Sequence, residues 1–331
     1  MRKNLIVGLV VGALLVYFSF KDIDMGSVAE GFKSVRCGYA FLALFCLFLM
    51  QVLRSYRWGL LLAPFDKIGQ FDLFAVTSVG FLAVVAVPAR LGELARPYLI
   101  AGKSNVSMAV ALGTVFVERI FDILTILAVF FLLLLFIPLP PWLTKAGMVS
   151  LLAALAALAA LALLLFLIFK REEAGRLLTP LFKRLPESLN RKVEALLRHF
   201  IDGLAVLSKV KTSFYVAGLS VLIWVVDAAA VYLLFLSFGF DLPFAAAFVV
   251  MVVLIIGIAI PTAPGFIGNW HFFCILGLSL FGVPKADALS YALVFHALGV
   301  GVIVFLGLAF LPFNRFSLAD IRRRADINVN L

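Results

Sequence analysis

The chain has 331 residues, of which 64% are hydrophobic and 14% are charged, whereas a soluble domain carries about 25% charged residues. The apolar runs are continuous and do not alternate, which disfavours a β-barrel. The net charge of +10 is concentrated between apolar runs, where the positive-inside rule explains it without nucleic acid. The composition therefore predicts an all-α polytopic membrane protein.

Six apolar segments are long enough to span a bilayer, which requires about 20 mostly apolar residues. In chain order they cover 4–20, 38–61, 108–136, 148–169, 212–238 and 287–313. The first segment resembles a secretory signal in its charge and apolarity. Because no small-x-small cleavage site precedes Lys21, we expect it to be retained as the first helix.

Two further apolar regions, 72–101 and 244–282, are interrupted near their middle. The first contains VPARLGELARP (87–97) and the second contains PTAPGFIGNWH (261–271). Proline removes a backbone donor and disturbs the preceding turn. Irregular backbone at membrane depth is tolerated only where protein buries it or where it lines a wet cavity. We therefore expect two re-entrant hairpins or pairs of half-helices.

The distribution of Lys and Arg favours cytoplasmic N- and C-termini in the cell (inner) membrane. If both broken regions return to the side from which they enter, the inside segments hold 20 Lys and Arg and the outside segments hold 5, as the positive-inside rule requires. Each half then contains span, span, hairpin and span, which predicts an inverted four-plus-four repeat within one domain, 1–137 and 148–313. If each broken region instead crosses the bilayer twice as two full helices, the orientation stays the same. The charge distribution therefore leaves a larger number of helices open. No residue-level identity between the halves is evident.

The largest polar segment, 170–211, lies inside the second repeat, and a short cytoplasmic tail, 314–331, follows the last span. Apolar residues of the insert recur at helical spacing from Leu189 to Leu204, with cations on the other faces. This pattern predicts an amphipathic helix lying on the inner leaflet.

The first broken region carries Arg90, Glu93 and Arg96 at bilayer depth, where ionisable residues are costly and mark functional sites by default. Their spacing of three allows neighbours to pair on a helix. Two interpretations stay open. The cluster either neutralises itself at the turn or binds a headgroup, because the planar fork of arginine suits phosphate and carboxylate oxygens.

A second group of charges lies in VFVERIFDIL (115–124). Glu118 and Asp122 are four residues apart on one helix face, where two carboxylates repel unless a cation lies between them or one is protonated. The arginines of the first break are the expected partners, either as an interhelical lock or as part of a substrate site. Arg119 points about 100° away from Glu118 on a helix and is expected to serve another partner.

The second broken region combines helix-breaking and polar residues. Pro264, Gly265 and Gly268 interrupt the helix, and Asn269 and His271 place polar groups at the interruption. Free backbone groups at such a break can bind a substrate. For His271 we leave open a packing role and a proton-carrying role.

Three further groups of residues, in or near the spans, receive structural interpretations. Asp227 is a lone carboxylate in a span, and we expect it to pair with Arg119. Arg54 and Arg57 are flanked by Tyr56 and Trp58, a composition typical of an interfacial anchor. The three cysteines show no paired spacing, so we expect packing residues and neither a disulfide nor a metal site.

Together the motifs PARLGELAR (88–96), VERIFD (117–122) and PTAPGFIG (261–268) resemble the lysylphosphatidylglycerol synthase transmembrane (flippase-like) family. That membrane domain also forms the N-terminal half of the multiple peptide resistance factor. The resemblance covers nearly the whole chain. It implies a lipid translocase whose functional region is lined by residues of the first break and the following span: Arg90, Glu93, Arg96, Glu118, Arg119 and Asp122.

Two departures from the family pattern affect the expected activity and the expected substrate. The insert 170–211 is too short for an aminoacyl transferase domain, so no synthase activity is expected. His271 stands where the family pattern leads us to expect a glutamate, and the lost carboxylate favours a less cationic or more anionic headgroup. The expected partner is a membrane lipid, with homo-oligomer formation left open; no cofactor is expected.

Two alternatives stay open beside the translocase. The first is an intramembrane enzyme acting on a lipid-linked substrate, with Glu118, Asp122 and His271 for acid–base chemistry. Against it, the sequence shows no nucleophile elbow, metal cluster or repeated-Asp diphosphate motif. For the translocase, no ATP-binding loop is seen, so direct ATP hydrolysis is not expected. The second is a non-catalytic scaffold whose buried charges are structural.

Overall fold

The computed structural model describes residues 2–86, 92–136, 198–259 and 263–314, together with five single residues between 152 and 196. All regular structure in these ranges is helical. The helices are α1 (Arg2–Phe20), α2 (Met25–Lys33), α3 (Cys37–Leu62), α4 (Gln70–Ala86), α5 (Ala95–Lys103), α6 (Met108–Phe136), α7 (Val210–Phe238), α8 (Phe244–Ala259), α9 (Asn269–Ser279) and α10 (Lys285–Phe310). Short 3-10 turns cover Ala205–Ser208, Pro264–Phe266 and Leu311–Asn314.

The helix lengths fit a membrane protein. Three described helices, Cys37–Leu62, Val210–Ser237 and Lys285–Asn314, are long and apolar enough to cross a bilayer. Helix α6 has 29 residues, about 43 Å at 1.5 Å per residue, but it carries the charged motif VERIFD. The expectation of an all-helical membrane protein is confirmed. The predicted span 148–169 and the tail 314–331 lie largely outside the described residues.

Helix α2 was not predicted, and its start has a clear local cause. The carboxylate of Asp24 accepts hydrogen bonds from the backbone N–H groups of Gly26 and Ser27, which satisfies donors that a helix start otherwise leaves free. The helix then packs against α10, where Gly31 lies against the side chain of Ser290. An added Cβ at Gly31 would meet the Ser290 hydroxyl at 2.6 Å.

The centre of the molecule is the antiparallel pair α3 and α7. At one end the backbone of Arg36 donates to the carbonyl of Ser237 at 2.8 Å, and at the other end Arg57 donates to Ser220 at 2.7 Å. Helix α4 packs on α10, and α8 packs on α6. Helix α7 ends at Gly239, whose φ of 71° is the left-handed conformation that closes many helices.

Both interruptions predicted within apolar regions are observed. The 17-residue α4 is followed by the 9-residue α5, and the 16-residue α8 is followed by the 11-residue α9. In each case the two arms contact each other. At 1.5 Å per residue, α4 and α8 are each about 25 Å long, so the first arm of each pair is longer than a half-helix. Residues 87–91 and 260–262, inside the two breaks, lie outside the described residues.

The described end of the polar insert packs against α6, whereas the predicted amphipathic helix from 189 to 197 lies largely outside the described residues. Residues 198–204 are helical, and Leu204 is fully buried in a cluster with Val117 and Ile120 of α6. Gly113 and Gly203 allow the two backbones to approach closely.

Candidate functional site

A buried arginine of α3 lies at the centre of the charged residues. Arg57 is 1% exposed. Its Nη1 donates to Asp122 at 2.6 Å and its Nη2 donates to the other oxygen of the same carboxylate at 3.2 Å. Its Nε donates to Glu118 at 3.4 Å, and Nη1 also donates to the hydroxyl of Ser220. Every nitrogen of this guanidinium therefore has an acceptor.

A second buried arginine enters the same network from the first break. Arg96 stands on the first turn of α5, and its Nη1 donates to Glu118 at 2.8 Å. Each oxygen of Glu118 thus accepts from a different arginine, one from α3 and one from α5. Charge-assisted pairs of this kind are strong in a low-dielectric interior. The network ties three helices together beside the interruption.

Two aromatic rings and a glycine hold the Arg96 side chain. Its guanidinium carbon lies 4.2 Å from the ring centroid of Trp58, within range of a cation–π interaction. Trp58 is fixed in turn by a hydrogen bond from its indole nitrogen to Thr114 at 3.1 Å. Phe81 lies 5.6 Å from the same guanidinium. The stem of Arg96 lies on Gly80, where any Cβ would overlap it.

The close packing of the break depends on a second glycine. An added Cβ at Gly92 would overlap the backbone of Ala83 and Val84 in α4. Only a residue without a side chain allows this approach. The glycine therefore lets the chain fold back on α4 and positions Arg96 over Gly80.

The third arginine of the network, Arg119, is partly exposed. Arg119 is 38% exposed at its side chain and pairs with Asp122 at 3.3 Å, three residues along the same helix. The sequence suggested a partner on a different helix. Arg119 instead pairs with Asp122, which lies on the same helix as Arg119 and Glu118. Its Nε is buried and has no acceptor among the described residues.

Two of the structural interpretations made from sequence are wrong. Among the described residues, Arg119 pairs with Asp122 and not with Asp227, and the cation whose charge acts on Asp227 is Arg54 of α3. Arg57 and Trp58 are not interfacial anchors, because they are 1% and 0% exposed. Arg57 is thus a site residue that the sequence analysis missed. The signal was present, since any arginine inside a span is a functional candidate.

At the second break, polar groups bind the irregular backbone. Asn269 donates to the carbonyl of Gly257 at 2.9 Å, and Nε2 of His296 bonds the carbonyl of Gly265 at 2.7 Å. The rings of His271 and His296 lie 4.7 Å apart, and His271 is 6% exposed. Four of the five predicted residues of this break make backbone or ring contacts there, and Pro264 begins its 3-10 turn.

The glycines of the second break adopt left-handed conformations. Gly265 has a φ of 70° and Gly268 a φ of 92°, which residues with a Cβ rarely adopt. Gly268 also lies against the backbone of Gly12 in α1. The 3-10 turn at Pro264–Phe266 contacts α4, the helix that leads into the first break. The two breaks are therefore linked through α4.

The structure brings together some of the predicted site residues and separates others. Arg96, Glu118, Arg119 and Asp122 form one network, whereas the second break is a separate group on α8, α9 and α10. Glu93 is half-buried in a helical turn just before α5. Arg90 lies outside the described residues. Among the described residues, no group of three or more His, Cys, Asp or Glu side chains is placed to hold a metal ion.

Comparison with known proteins gives one family for nearly the whole chain. Residues 5–307 match the family described as lysylphosphatidylglycerol synthase TM region. A UPF0104 membrane protein of Methanothermobacter thermautotrophicus is 24% identical over 329 residues, which cover 94% of this chain and 96% of that protein. A UPF0104 membrane protein of Methanocaldococcus jannaschii is 27% identical over 227 residues, covering 67% and 89%. No solved structure matches.

Proposed function

The chain belongs to the lysylphosphatidylglycerol synthase transmembrane-region family, and we propose that it moves a polar phospholipid between the two leaflets of a membrane. The observation that carries this proposal is the buried network of Arg57, Arg96, Glu118 and Asp122 beside a broken helix. Charges at bilayer depth are costly, and a packed apolar contact would fix the same helices at lower cost. A headgroup-binding role explains why they are retained.

The proposed function includes an inverted repeat, and the contacts between helices support it. Exchanging α3 with α7, α4 with α8, α5 with α9 and α6 with α10 leaves the helix contacts unchanged: α4–α10 becomes α8–α6, α5–α6 becomes α9–α10, and α3–α4 becomes α7–α8. The pair α3–α7 maps onto itself. Repeats of opposite orientation place a site near the midplane and allow it to open alternately to the two sides.

Arg54 and Asp227 occupy equivalent positions in the two helices of the central pair, α3 and α7. Arg54 lies 17 residues after the first residue of α3, and Asp227 lies 17 residues after the first residue of α7. Two equivalent positions that face each other across an antiparallel helix pair lie near its two-fold axis. We therefore propose that the axis of the repeat runs between Arg54 and Asp227.

The breaks themselves share a motif that the sequence analysis did not detect. Pro88 and Gly92 have the same spacing as Pro261 and Gly265, and 173 residues separate each equivalent pair. The same separation relates Arg54 to Asp227. The polar content differs, because the first break leads to an arginine–glutamate pair and the second to two histidines. We therefore assign headgroup binding to the first break.

The described geometry favours translocation over acid–base catalysis. Both oxygens of Glu118 and both oxygens of Asp122 accept from arginine. A general base needs a free oxygen aimed at the proton that it removes. Translocation needs only that the headgroup be held and released, while the acyl chains stay in lipid.

The test is lipid movement in proteoliposomes that contain the purified protein. Wild type is compared with Arg96→Gln and with Arg36→Gln, a matched change of an exposed arginine at the start of α3. Each variant must first elute as a folded, monodisperse species. We expect movement in wild type and Arg36→Gln and its loss in Arg96→Gln. No movement of anionic, zwitterionic or aminoacylated lipids by wild type would refute the proposal, and product formation in detergent would favour an enzyme.

A further inference from the structure

One edge of the Arg96 guanidinium has no hydrogen-bond acceptor among the described residues. Its Nη1 donates to Glu118, but Nε and Nη2 are buried and have no acceptor among the described residues. Arg96 as a whole is 4% exposed. A buried donor without an acceptor costs free energy, and an arginine with two of them is placed to receive a ligand.

The two free donors lie on the same side of the group. In a planar guanidinium the N–H of Nε and one N–H of Nη2 are parallel, and together they form the side-on fork. Such a fork matches two oxygens of a carboxylate or phosphate in a bidentate pair. In Arg57 the end-on fork is filled by both oxygens of Asp122. In Arg96, by contrast, the side-on fork formed by Nε and Nη2 has no acceptor among the described residues.

The side chain cannot readily turn this edge elsewhere. The ring of Trp58 stacks on the guanidinium, Gly80 supports the stem, and Glu118 holds the opposite nitrogen. The orientation of the fork is therefore fixed before a ligand arrives. Preorganised donors bind more tightly because less ordering is required on binding.

The charge of the network calls for one negative charge. Among the described residues, Arg57, Arg96 and Arg119 form one network with two carboxylates, those of Glu118 and Asp122. The charge of Asp227 is opposed by that of Arg54. One positive charge is left in excess. An excess charge in this largely buried network is costly unless a counter-ion neutralises it.

We propose that the side-on fork of Arg96 binds a phosphate monoanion, the phosphodiester of an anionic phospholipid, while Glu118 stays on the opposite edge. This inference rests on the proposed translocase function and names its substrate class. A phosphodiester offers two equivalent oxygens and one negative charge, which match the fork and the excess charge. Glu118 is then a positioning residue that orients Arg96 and does not contact the headgroup.

The same geometry disfavours a cationic headgroup. An amine added to the lipid would need a carboxylate, and Glu118 and Asp122 are already engaged by arginine. Asp227 faces Arg54. The site therefore prefers a lipid whose net charge is −1 over an aminoacylated form of the same lipid.

The experiment measures binding to the purified full chain in detergent, through the shift of its thermal unfolding midpoint. The probes are short-chain phosphatidylglycerol, the diacylglycerol with the same chains, lysyl-phosphatidylglycerol and inorganic phosphate. The variants are Arg96→Lys, which keeps the charge but lacks the fork, and Arg36→Lys as the matched surface control. Unliganded midpoints and elution profiles establish that each variant is folded.

We expect phosphatidylglycerol to bind wild type and Arg36→Lys equally, and to bind Arg96→Lys at least about tenfold more weakly, because a lysine cannot form the bidentate pair. Diacylglycerol should give no shift and lysyl-phosphatidylglycerol a smaller one. A shift by inorganic phosphate that also depends on Arg96 would support the site and show that it accepts the free anion. Equal binding of phosphatidylglycerol by Arg96→Lys and wild type, or preference for the lysyl lipid, would overturn the inference.

The proposed function and this inference can fail separately. Arg96-dependent binding of phosphatidylglycerol without lipid movement in vesicles would refute the translocase and leave the binding site. Lipid movement that is unchanged in Arg96→Lys would leave the translocase and refute the assignment of Arg96.

Discussion

Arg57 and Asp122 form a bidentate pair between α3 and α6, in which two guanidinium nitrogens donate to the two oxygens of one carboxylate at 2.6 and 3.2 Å. The arginine is 1% exposed and the aspartate 7%. The same arginine reaches Glu118, so its removal would leave two carboxylates without their central cation. This relationship makes Arg57 the residue on which the charged network depends most.

We predict that Arg57→Met lowers the free energy of unfolding by about 3–5 kcal/mol, the usual cost of leaving a buried charge unpaired. Lys103→Met is the control, because its pair with Asp72 is partly exposed and such pairs contribute about 0–1 kcal/mol. Unfolding of both variants in detergent, followed by circular dichroism, gives the comparison. Equal destabilisation by the two changes would contradict the central role of Arg57.

A second prediction concerns the support of Arg96. Gly80→Ala places a Cβ where the Arg96 stem lies, so the guanidinium must leave its place over Trp58. We expect lipid movement in proteoliposomes to fall at least about tenfold, as small misplacements of a binding group often cause. Gly38→Ala is the matched control, because nothing lies within 4 Å of its added Cβ. If both variants move lipid at the wild-type rate, the position of Arg96 does not matter for transport.

A third prediction tests the second break. Gly268→Ala forces a residue with a Cβ to adopt a φ of 92° and to contact the backbone of Gly12. This sparsely populated backbone conformation alone costs roughly 1–3 kcal/mol, so the thermal midpoint should fall clearly. Gly218→Ala, in the interior of α7 with open space around its Cβ, should leave the midpoint unchanged or raise it slightly. A drop of equal size in Gly218→Ala would show that the break is not specially constrained.

A fourth prediction tests the proposed orientation. Cys37 is exposed at the start of α3, and a cytoplasmic N-terminus places this end of α3 on the outside. A membrane-impermeant maleimide should therefore label intact cells that express the chain, and Cys37→Ser should abolish the labelling. Cys274 is buried and Cys46 is partly buried within α3, so neither competes. Labelling that appears only after the cells are opened would reverse the orientation.

Much of the fold follows from local properties of the sequence. Apolar runs of bilayer length must be helical, because hydrocarbon offers no partner for a free backbone group. The prolines and glycines of the two breaks were sufficient to predict interruptions, since their backbone effects are local. Glu118 and Asp122 could likewise be recognised as a pair from their spacing of four. Helix α2 was missed because the whole helix has only nine residues, which is too short for its apolar spacing to stand out.

The identity of the partners was decided by tertiary structure alone. Nothing local distinguishes Arg57, which is buried between two carboxylates, from an arginine that reaches the membrane surface; only the packing of α3 against α6 and α7 does so. The same holds for Arg54 and Asp227, whose charges act on each other because α3 and α7 pack as an antiparallel pair. Long-range pairing depends on where separate helices meet, whereas the sequence determines each helix and break from interactions within a few residues.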